Sequence, residues 1–249
     1  MTLFRFPAVL IALLLIVFAG CLPPAKIPID TIHYDAGESG VARVLIVFLP
    51  GSGDSMSVFQ REGLVAAVRQ RGVPADMIAV NAHVGYYANG TVFKRLKEDV
   101  IGPAKKRGYR QIWLVGDSLG GYGAILYDSE YPEDISGVLL LGPFLGKKEL
   151  IDDIKQAGGA RNWAPKAVRE KSEAAWEERL WLWFRDSESR RGFSQIYLGY
   201  GRGDRFTYAQ DYLASLMPPQ QVIVVDGGHN WETWKKLWDL FLNRNIFGL

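Results

Sequence analysis

LVGDSLGGYG, residues 114–123, places one serine, Ser118, among glycines directly after an apolar run. The residues from Gly116 to Gly120 fit the pattern G-x-S-x-G, with the strand-like run QIWLV before them and the helix-compatible run YGAILYDSEY after them. A sharp strand-to-helix turn holds its serine in a strained backbone conformation, and bulky side chains two positions away would collide with the crossing chain. The pattern therefore predicts a turn that presents the Ser118 hydroxyl at the carboxyl edge of a sheet.

Apolar runs of strand length recur from residue 41 onward and alternate with segments of helical period. Runs that are apolar on both faces are typical of a mainly parallel sheet that is covered by helices on both sides. Among the connecting segments, Phe93, Leu96 and Val100 share one helix face, and an apolar stripe from Trp234 to Leu242 ends the chain. We therefore expect a single α/β domain over residues 41–249. The runs are VARVLIVFLP, MIAVNAH, QIWLVG, GVLLLGPF, QIYLGYG and QVIVVDGG.

This part of the chain resembles the α/β-hydrolase family, in which a nucleophile, an acid and a histidine follow one another along the sequence, each after its own strand. Ser118 follows the third of the strand-like runs, which is where the family has its nucleophile. The stretch VIVVDGGHNW places His229, the only histidine after Ser118, just past the last run, and IYLGYGRGDRF places Asp204 after the penultimate run. The resemblance implies that Ser118, Asp204 and His229 are the catalytic residues. Other acids remain open in the place of Asp204, namely Asp211, Asp226 and Asp186.

These three residue types suit acyl transfer. A serine hydroxyl is a weak nucleophile near neutral pH and needs a base within hydrogen-bond reach. An imidazole can take that proton and pass it to the leaving group, while a carboxylate fixes the tautomer of the imidazole. Two further donors must hold the developing oxyanion. We assign the amide of Leu119 as the first and, by resemblance to the family's loop after an early strand, the amide of Ser52 in FLPGSGDS as the second, with Gly53 as the next choice.

A segment of residues 147–193 is longer than an ordinary crossover between strands. In the resembling family, helical caps over the active site are inserted at this point, and tryptophans in a cap favour an apolar acyl or aromatic group. An ordinary crossover helix whose tryptophans pack on the sheet is the equal alternative. The helical stripe of this segment consists of Trp176, Leu180, Trp183 and Phe184. Other side chains that could line the same edge of the sheet are His83, Tyr86 and Tyr87.

The first twenty residues have the shape of an export signal, with Arg5 followed by an unbroken apolar stretch that ends on small residues. The sequence FAGC resembles the lipobox of bacterial lipoproteins, in which Cys21 is lipidated and becomes the new N-terminus. Pro7 and the short apolar stretch make an uncleaved transmembrane anchor the less favoured alternative. We therefore expect a signal peptide over residues 1–20, a lipidated tether over residues 21–40 and a location in the bacterial cell envelope, with the membrane leaflet left open.

Composition excludes several other classes. The chain has 29 Lys and Arg against 27 Asp and Glu, so we expect no nucleic-acid partner. A single cysteine and three scattered histidines, His33, His83 and His229, do not form a metal motif. The chemistry described above needs no cofactor.

Three functions follow from these patterns. The leading hypothesis is a serine hydrolase that cleaves a carboxylic ester or thioester, from a small-molecule or lipid substrate, through an acyl-enzyme. An envelope acyltransferase would use the same residues with a hydroxyl or amine in place of water. A binding lipoprotein that kept the fold without the chemistry is the third alternative. The sequence leaves the oligomeric state open.

Overall fold

A computed structural model of the chain describes residues 23–36, 44–166, 173–187 and 195–247. The strands are β1 (Thr31–Tyr34), β2 (Val44–Leu49), β3 (Ala75–Val80), β4 (Gln111–Asp117), β5 (Gly137–Leu141), β6 (Gln195–Gly201) and β7 (Val222–Val225). They form one sheet in the order β1-β3-β2-β4-β5-β6-β7, in which only β1 runs antiparallel to its neighbour. The predicted mainly parallel sheet is confirmed, and the carboxyl ends of β4 to β7 meet at one edge.

Helices cover both faces of this sheet. Along β2, Val44 and Ile46 belong to the apolar cluster on one face, and Leu45 and Val47 belong to the cluster on the other. This explains why the strand-like runs of the sequence are apolar at every position rather than at alternate ones. The helices are α1 (Val58–Arg61), α2 (Leu64–Gln70), α3 (Val84–Ala88), α4 (Val92–Arg95), α5 (Gly102–Lys106), α6 (Leu119–Glu130), α7 (Lys148–Gln156), α8 (Glu173–Ser187), α9 (Thr207–Leu216) and α10 (Trp231–Asn243), with a π-helical turn at Leu96–Ile101 and a 3₁₀ turn at Pro219–Gln221.

Helices α7 and α8 lie in the long connection between β5 and β6. Trp163, Trp181 and Trp183 are buried there in the same apolar cluster as α6. The indole N–H of Trp181 donates to the carbonyl oxygen of Leu145 at 2.8 Å. Most tryptophans of this segment therefore belong to the core, as in the crossover interpretation, whereas Trp176 is only half-buried.

The sheet begins earlier than residue 41, where the sequence analysis starts the domain. Strand β1 pairs with β3 so that Thr31 lies opposite Val80. Because β1 is a half-exposed edge strand, its sequence TIHY lacks the continuous apolar run that marks the central strands. The predicted signal peptide, residues 1–20, and Cys21 lie outside the described residues. Among the described residues, no helix has both the length and the apolar character needed to cross a membrane.

Candidate active site

The turn between β4 and α6 gives Ser118 an unusual backbone. Its φ of 47° and ψ of −112° lie in a region that L-residues with a side chain rarely adopt, which costs about 1–3 kcal/mol. A Cβ atom on Gly116 would lie 2.5 Å from the amide nitrogen of Gly121, and one on Gly120 would lie 2.5 Å from the carbonyl carbon of Leu49. The glycines on each side of Ser118 are thus required by the backbone that crosses the turn.

A continuous hydrogen-bond chain connects Ser118 to two residues that are distant in sequence. The Oγ atom of Ser118 lies 2.9 Å from Nε2 of His229, and Nδ1 of His229 lies 2.9 Å from Oδ2 of Asp204. With the ring proton on Nδ1, His229 donates to the carboxylate and accepts from the serine hydroxyl. The structure therefore brings together the three side chains that the sequence analysis selected.

The surroundings hold the imidazole in place. The side chain of Asp204 is fully buried, and its Oδ1 accepts the backbone N–H of Phe206 at 2.9 Å. The rings of Phe206 and Trp234 meet the His229 ring edge to face, at centroid distances of 4.9 and 5.0 Å. With two aromatic rings packed against it and one nitrogen bonded to a buried carboxylate, His229 retains little freedom to turn away from Ser118.

The other acids that the sequence left open have different partners. Asp211 accepts the hydroxyl of Tyr200 at 2.7 Å. Asp226 is exposed beside Arg202, and Asp186 pairs with its neighbour Arg185. Of the four candidates, only Asp204 is hydrogen-bonded to His229.

The loop after β2 passes directly beside the serine. A Cβ atom on Gly51 would lie 3.3 Å from Cβ of Ser118, and the next residue, Ser52, is exposed. Leu119 is the first residue of α6, so its amide N–H has no carbonyl partner within the helix. Both amides assigned to the oxyanion thus belong to segments that border Ser118.

Asp117 is a buried residue that the sequence analysis missed. Its Oδ2 accepts the backbone N–H of Gly51 at 3.0 Å, which ties the loop after β2 to the turn that carries Ser118. Its Oδ1 is buried and has no hydrogen-bond partner among the described residues. Burial, and secondarily the negative charge of Asp54, raises the pKa of the Asp117 carboxyl well above its usual value. The only signal in the sequence is a carboxylate at the last position of a strand that is otherwise apolar.

A cavity of about 730 Å³ opens beside the turn. Leu119 and Tyr122, which follow Ser118 in α6, line this cavity, and Trp176 and Arg179 from α8 line it as well. Of the side chains expected at this edge, Tyr87 lines the cavity, while the Tyr86 hydroxyl is bonded to the backbone of Lys26 and His83 caps α3. Its remaining lining residues are Val84, Ala88, Asn89, Gly90, Val92, Phe93, Leu126 and Phe144.

Metal ligands do not cluster at this site. Within the part of the chain that the structure describes, no three His, Cys, Asp or Glu side chains are grouped so that they could hold a metal ion. The polar groups beside Ser118 are the imidazole, the carboxyls and backbone amides. This set of groups suits proton transfer and stabilisation of an oxyanion, which are the requirements of acyl transfer at a hydroxyl nucleophile.

Comparisons with known proteins bear on the fold and on the family of the chain. Solved structures of similar fold include an S-formylglutathione hydrolase from Staphylococcus aureus, with 13% identity and a TM-score of 0.57 over 87% of this chain and 95% of that one. Another is Est1E from Butyrivibrio proteoclasticus with bound ferulic acid, with 14% identity and a TM-score of 0.58 over 88% and 95%. A third is a monoacylglycerol lipase from Paleococcus ferrophilus, with 14% identity and a TM-score of 0.54 over 87% and 97%.

At these identities the solved structures show the fold, which is that of the α/β-hydrolases. A search of curated proteins found no match. The model of the Esterase family, described as "Putative esterase", matches residues 20–239. The chain therefore belongs to this esterase family and is an ester hydrolase with the α/β-hydrolase fold.

Proposed function

We propose that the protein is a serine hydrolase that cleaves a carboxylic ester or thioester through an acyl-enzyme on Ser118. The observation that carries this proposal is the pair of 2.9 Å contacts that join Ser118, His229 and Asp204 in one hydrogen-bond chain. A hydroxyl, an imidazole and a buried carboxylate in this order are the groups that a serine nucleophile needs.

In the first half of the reaction, Oγ of Ser118 attacks the carbonyl carbon while its proton moves to Nε2 of His229. The carbonyl π bond opens, and its electron pair becomes the oxyanion that the amides of Leu119 and Ser52 stabilise. The oxyanion then collapses, the bond to the leaving group breaks, and the departing alcohol or thiol takes the proton from Nε2. Asp204 stabilises the imidazolium that exists between these two steps.

In the second half, a water molecule gives a proton to Nε2 of His229 and attacks the acyl carbon. This second oxyanion then collapses, and the bond between the acyl carbon and Oγ breaks. Oγ takes the proton from Nε2, and the carboxylic acid is released. Each amide donor is worth about 10²–10³-fold in rate when it is lost from such a site. The strained backbone of Ser118 supports the proposal because the turn that it forms presents Oγ 2.9 Å from Nε2 of His229.

The test uses the purified protein with a fluorophosphonate probe and a series of p-nitrophenyl esters of rising chain length. We expect the wild type to be labelled and to turn over esters, and we expect Ser118→Ala to lose both properties. Ser215→Ala, on the exposed side of α9, is the matched control and should behave as the wild type. Equal labelling of wild type and Ser118→Ala would falsify the proposal.

We also propose that the protein is exported and anchored to the bacterial envelope through lipid on Cys21. The support is the sequence alone: an apolar stretch after Arg5 and the lipobox-like FAGC. At roughly 0.8 kcal/mol per buried methylene, one acyl chain binds a membrane only reversibly, so stable attachment requires a cysteine with at least two chains. Metabolic labelling with palmitate in a bacterial host should mark the wild type and fail to mark Cys21→Ala. Label retained by the variant would contradict the anchor.

A further inference from the structure

The cavity beside Ser118 has the size of a substrate-binding site. Its volume of about 730 Å³ lies in the range of roughly 300–1,000 Å³ that is typical of small-molecule pockets. The wall near the nucleophile is apolar and includes Leu119, Tyr122 and Phe144. An ester bound at Ser118 can therefore extend a bulky apolar part into this space.

Arg179 is the only charged residue among the described residues that line the cavity, and none of them is acidic. It also has no acidic partner in the described part of the chain. Its neighbours in α8 face other groups, since Glu177 accepts the backbone N–H of Lys147 and Glu178 accepts that of Lys166. Arg179 is exposed, and its positive charge therefore lies at the wall of a mainly apolar cavity without a compensating carboxylate among the described residues.

The guanidinium of this cation lies over an aromatic ring. The guanidinium of Arg179 lies 5.0 Å from the ring centroid of Trp176, and Trp176 packs against Phe93 at 5.3 Å. Both rings belong to the cavity wall. A guanidinium that is already held against an aromatic face loses little freedom on binding, and its planar fork matches a carboxylate better than an ammonium group does.

We propose that the natural substrate is an ester with an apolar part that ends in a carboxylate, and that Arg179 binds this carboxylate. The inference rests on the proposed function, because it concerns the substrate of the same site. The carboxylate can belong to the acyl chain or to the leaving group, and in both cases the apolar part crosses the cavity between Leu119 and Arg179. Arg179 is accordingly a specificity-determining residue rather than a part of the reacting centre.

The test compares esters that differ only in this charge. Three pairs have the carboxylate on the acyl side: p-nitrophenyl monoesters of adipic, suberic and sebacic acid, each against its methyl-capped diester. A fourth pair has it on the leaving group: the butyrate ester of 4-hydroxybenzoic acid against that of its methyl ester. Because a hydrogen bond between charged groups is stronger than one between neutral groups, we expect the free carboxylate to be preferred in kcat/KM by about tenfold in at least one pair.

Substitution then assigns the preference to one residue. In Arg179→Gln, we expect KM for the preferred carboxylate ester to rise about tenfold, while kcat/KM for its capped partner stays within about twofold. Arg110→Gln, immediately before β4 at the opposite edge of the sheet, is the matched control. It should change neither KM for the carboxylate ester nor kcat/KM for the capped ester. Arg205→Gln tests a second cation near the site, which stacks on Phe206 outside the cavity, and should also leave the preference intact.

Salt provides a measurement that needs no variant. The preference of the wild type for the carboxylate ester should fall as sodium chloride rises from about 0.01 to 1 M, while the capped ester shows no such dependence. The inference is overturned if no pair shows a preference for the free carboxylate. It is also overturned if this preference survives Arg179→Gln or disappears in Arg205→Gln. Those results leave the proposed function standing as long as Ser118 is labelled and the capped esters are cleaved.

Discussion

Two buried aspartates, Asp117 and Asp204, lie at the same edge of the sheet and have different surroundings. Asp204 follows β6, and both of its oxygens are used: one faces Nδ1 of His229 and the other accepts an amide. Asp117 ends β4, and within the described part of the chain only one of its oxygens has a partner, the amide of Gly51. The side chains are equally inaccessible to water, so their difference comes from the groups that face them.

This difference separates two uses of a buried carboxyl group. Beside an imidazole, a carboxylate can orient a ring and stabilise its positive charge. Asp117 pairs with no cation among the described residues, and burial raises its pKa well above the usual value, which favours the neutral form. A neutral carboxyl can still accept one N–H and fix the loop that carries Ser52. We infer that Asp204 acts in proton transfer, whereas Asp117 positions the oxyanion loop.

The largest expected effect is that of Asp204→Asn, which should lower kcat for a p-nitrophenyl ester about 10⁴-fold. An amide at this position no longer selects the Nδ1–H tautomer or stabilises the imidazolium. Asp117→Asn makes the same substitution one residue before Ser118, at a carboxyl that is already held in its neutral form, and keeps an oxygen that can accept the Gly51 amide. Its kcat should stay within about tenfold of the wild type, far from the loss at Asp204. Similar losses in the two variants would remove the distinction between the aspartates.

A smaller effect is expected from the glycine that packs beside Asp204. Gly142 has a φ of 53°, and a Cβ atom there would lie 2.5 Å from Nε1 of Trp234 and 2.9 Å from Oδ2 of Asp204. Gly142→Ala must therefore displace the carboxylate or the ring that supports His229. Since a shift of about 1 Å can cost roughly 10²-fold in rate, we expect a fall of that order in kcat.

Gly72→Ala is the matched control for Gly142→Ala. Gly72 has a φ of 64° and open space where a Cβ atom would be, so it reports backbone strain alone. This variant should lower the thermal stability by an amount that corresponds to about 1–2 kcal/mol and leave kcat unchanged. If both variants lose stability and neither loses activity, the packing around Asp204 does not control the reaction.

Much of this arrangement could be predicted from the sequence. The apolar runs predict the parallel sheet because central strands are covered on both faces, and the glycines around Ser118 predict the turn because only they fit the crossing backbone. The resemblance to the α/β-hydrolase family indicated His229 and Asp204, and the parallel strands bring both residues to one edge because their carboxyl ends meet there. Residues that follow different parallel strands in the sequence therefore lie near one another at that edge of the sheet.

The remaining features depend on contacts that no local pattern records. The bond from Gly51 to Asp117 joins residues 66 positions apart and leaves no periodic signal. The role of α8 is equally hidden, because Trp181 and Trp183 pack in the core while Trp176 and Arg179 border the cavity. Residues of one helical stripe, Trp176 and Trp183, line the cavity and the core respectively. Periodicity alone could therefore not distinguish a cap from a crossover helix. Strand β1 was missed because an edge strand needs only half of its side chains to be apolar.

The smallest expected effect concerns stability and follows from the pKa of Asp117. Its folded-state pKa lies above the usual 3.8, so the protonated side chain stabilises the fold below that value, and this contribution is lost as the pH rises towards the folded-state pKa. Asn cannot ionise, so Asp117→Asn should gain stability relative to the wild type between pH 4 and pH 7.5. Urea unfolding at both pH values measures the gain, and Asp226→Asn, at an exposed position, controls for net charge. The difference in free energy of unfolding between Asp117→Asn and the wild type could instead stay constant with pH. Asp117 would then ionise as easily in the folded as in the unfolded chain, and its contrast with Asp204 would rest on geometry alone.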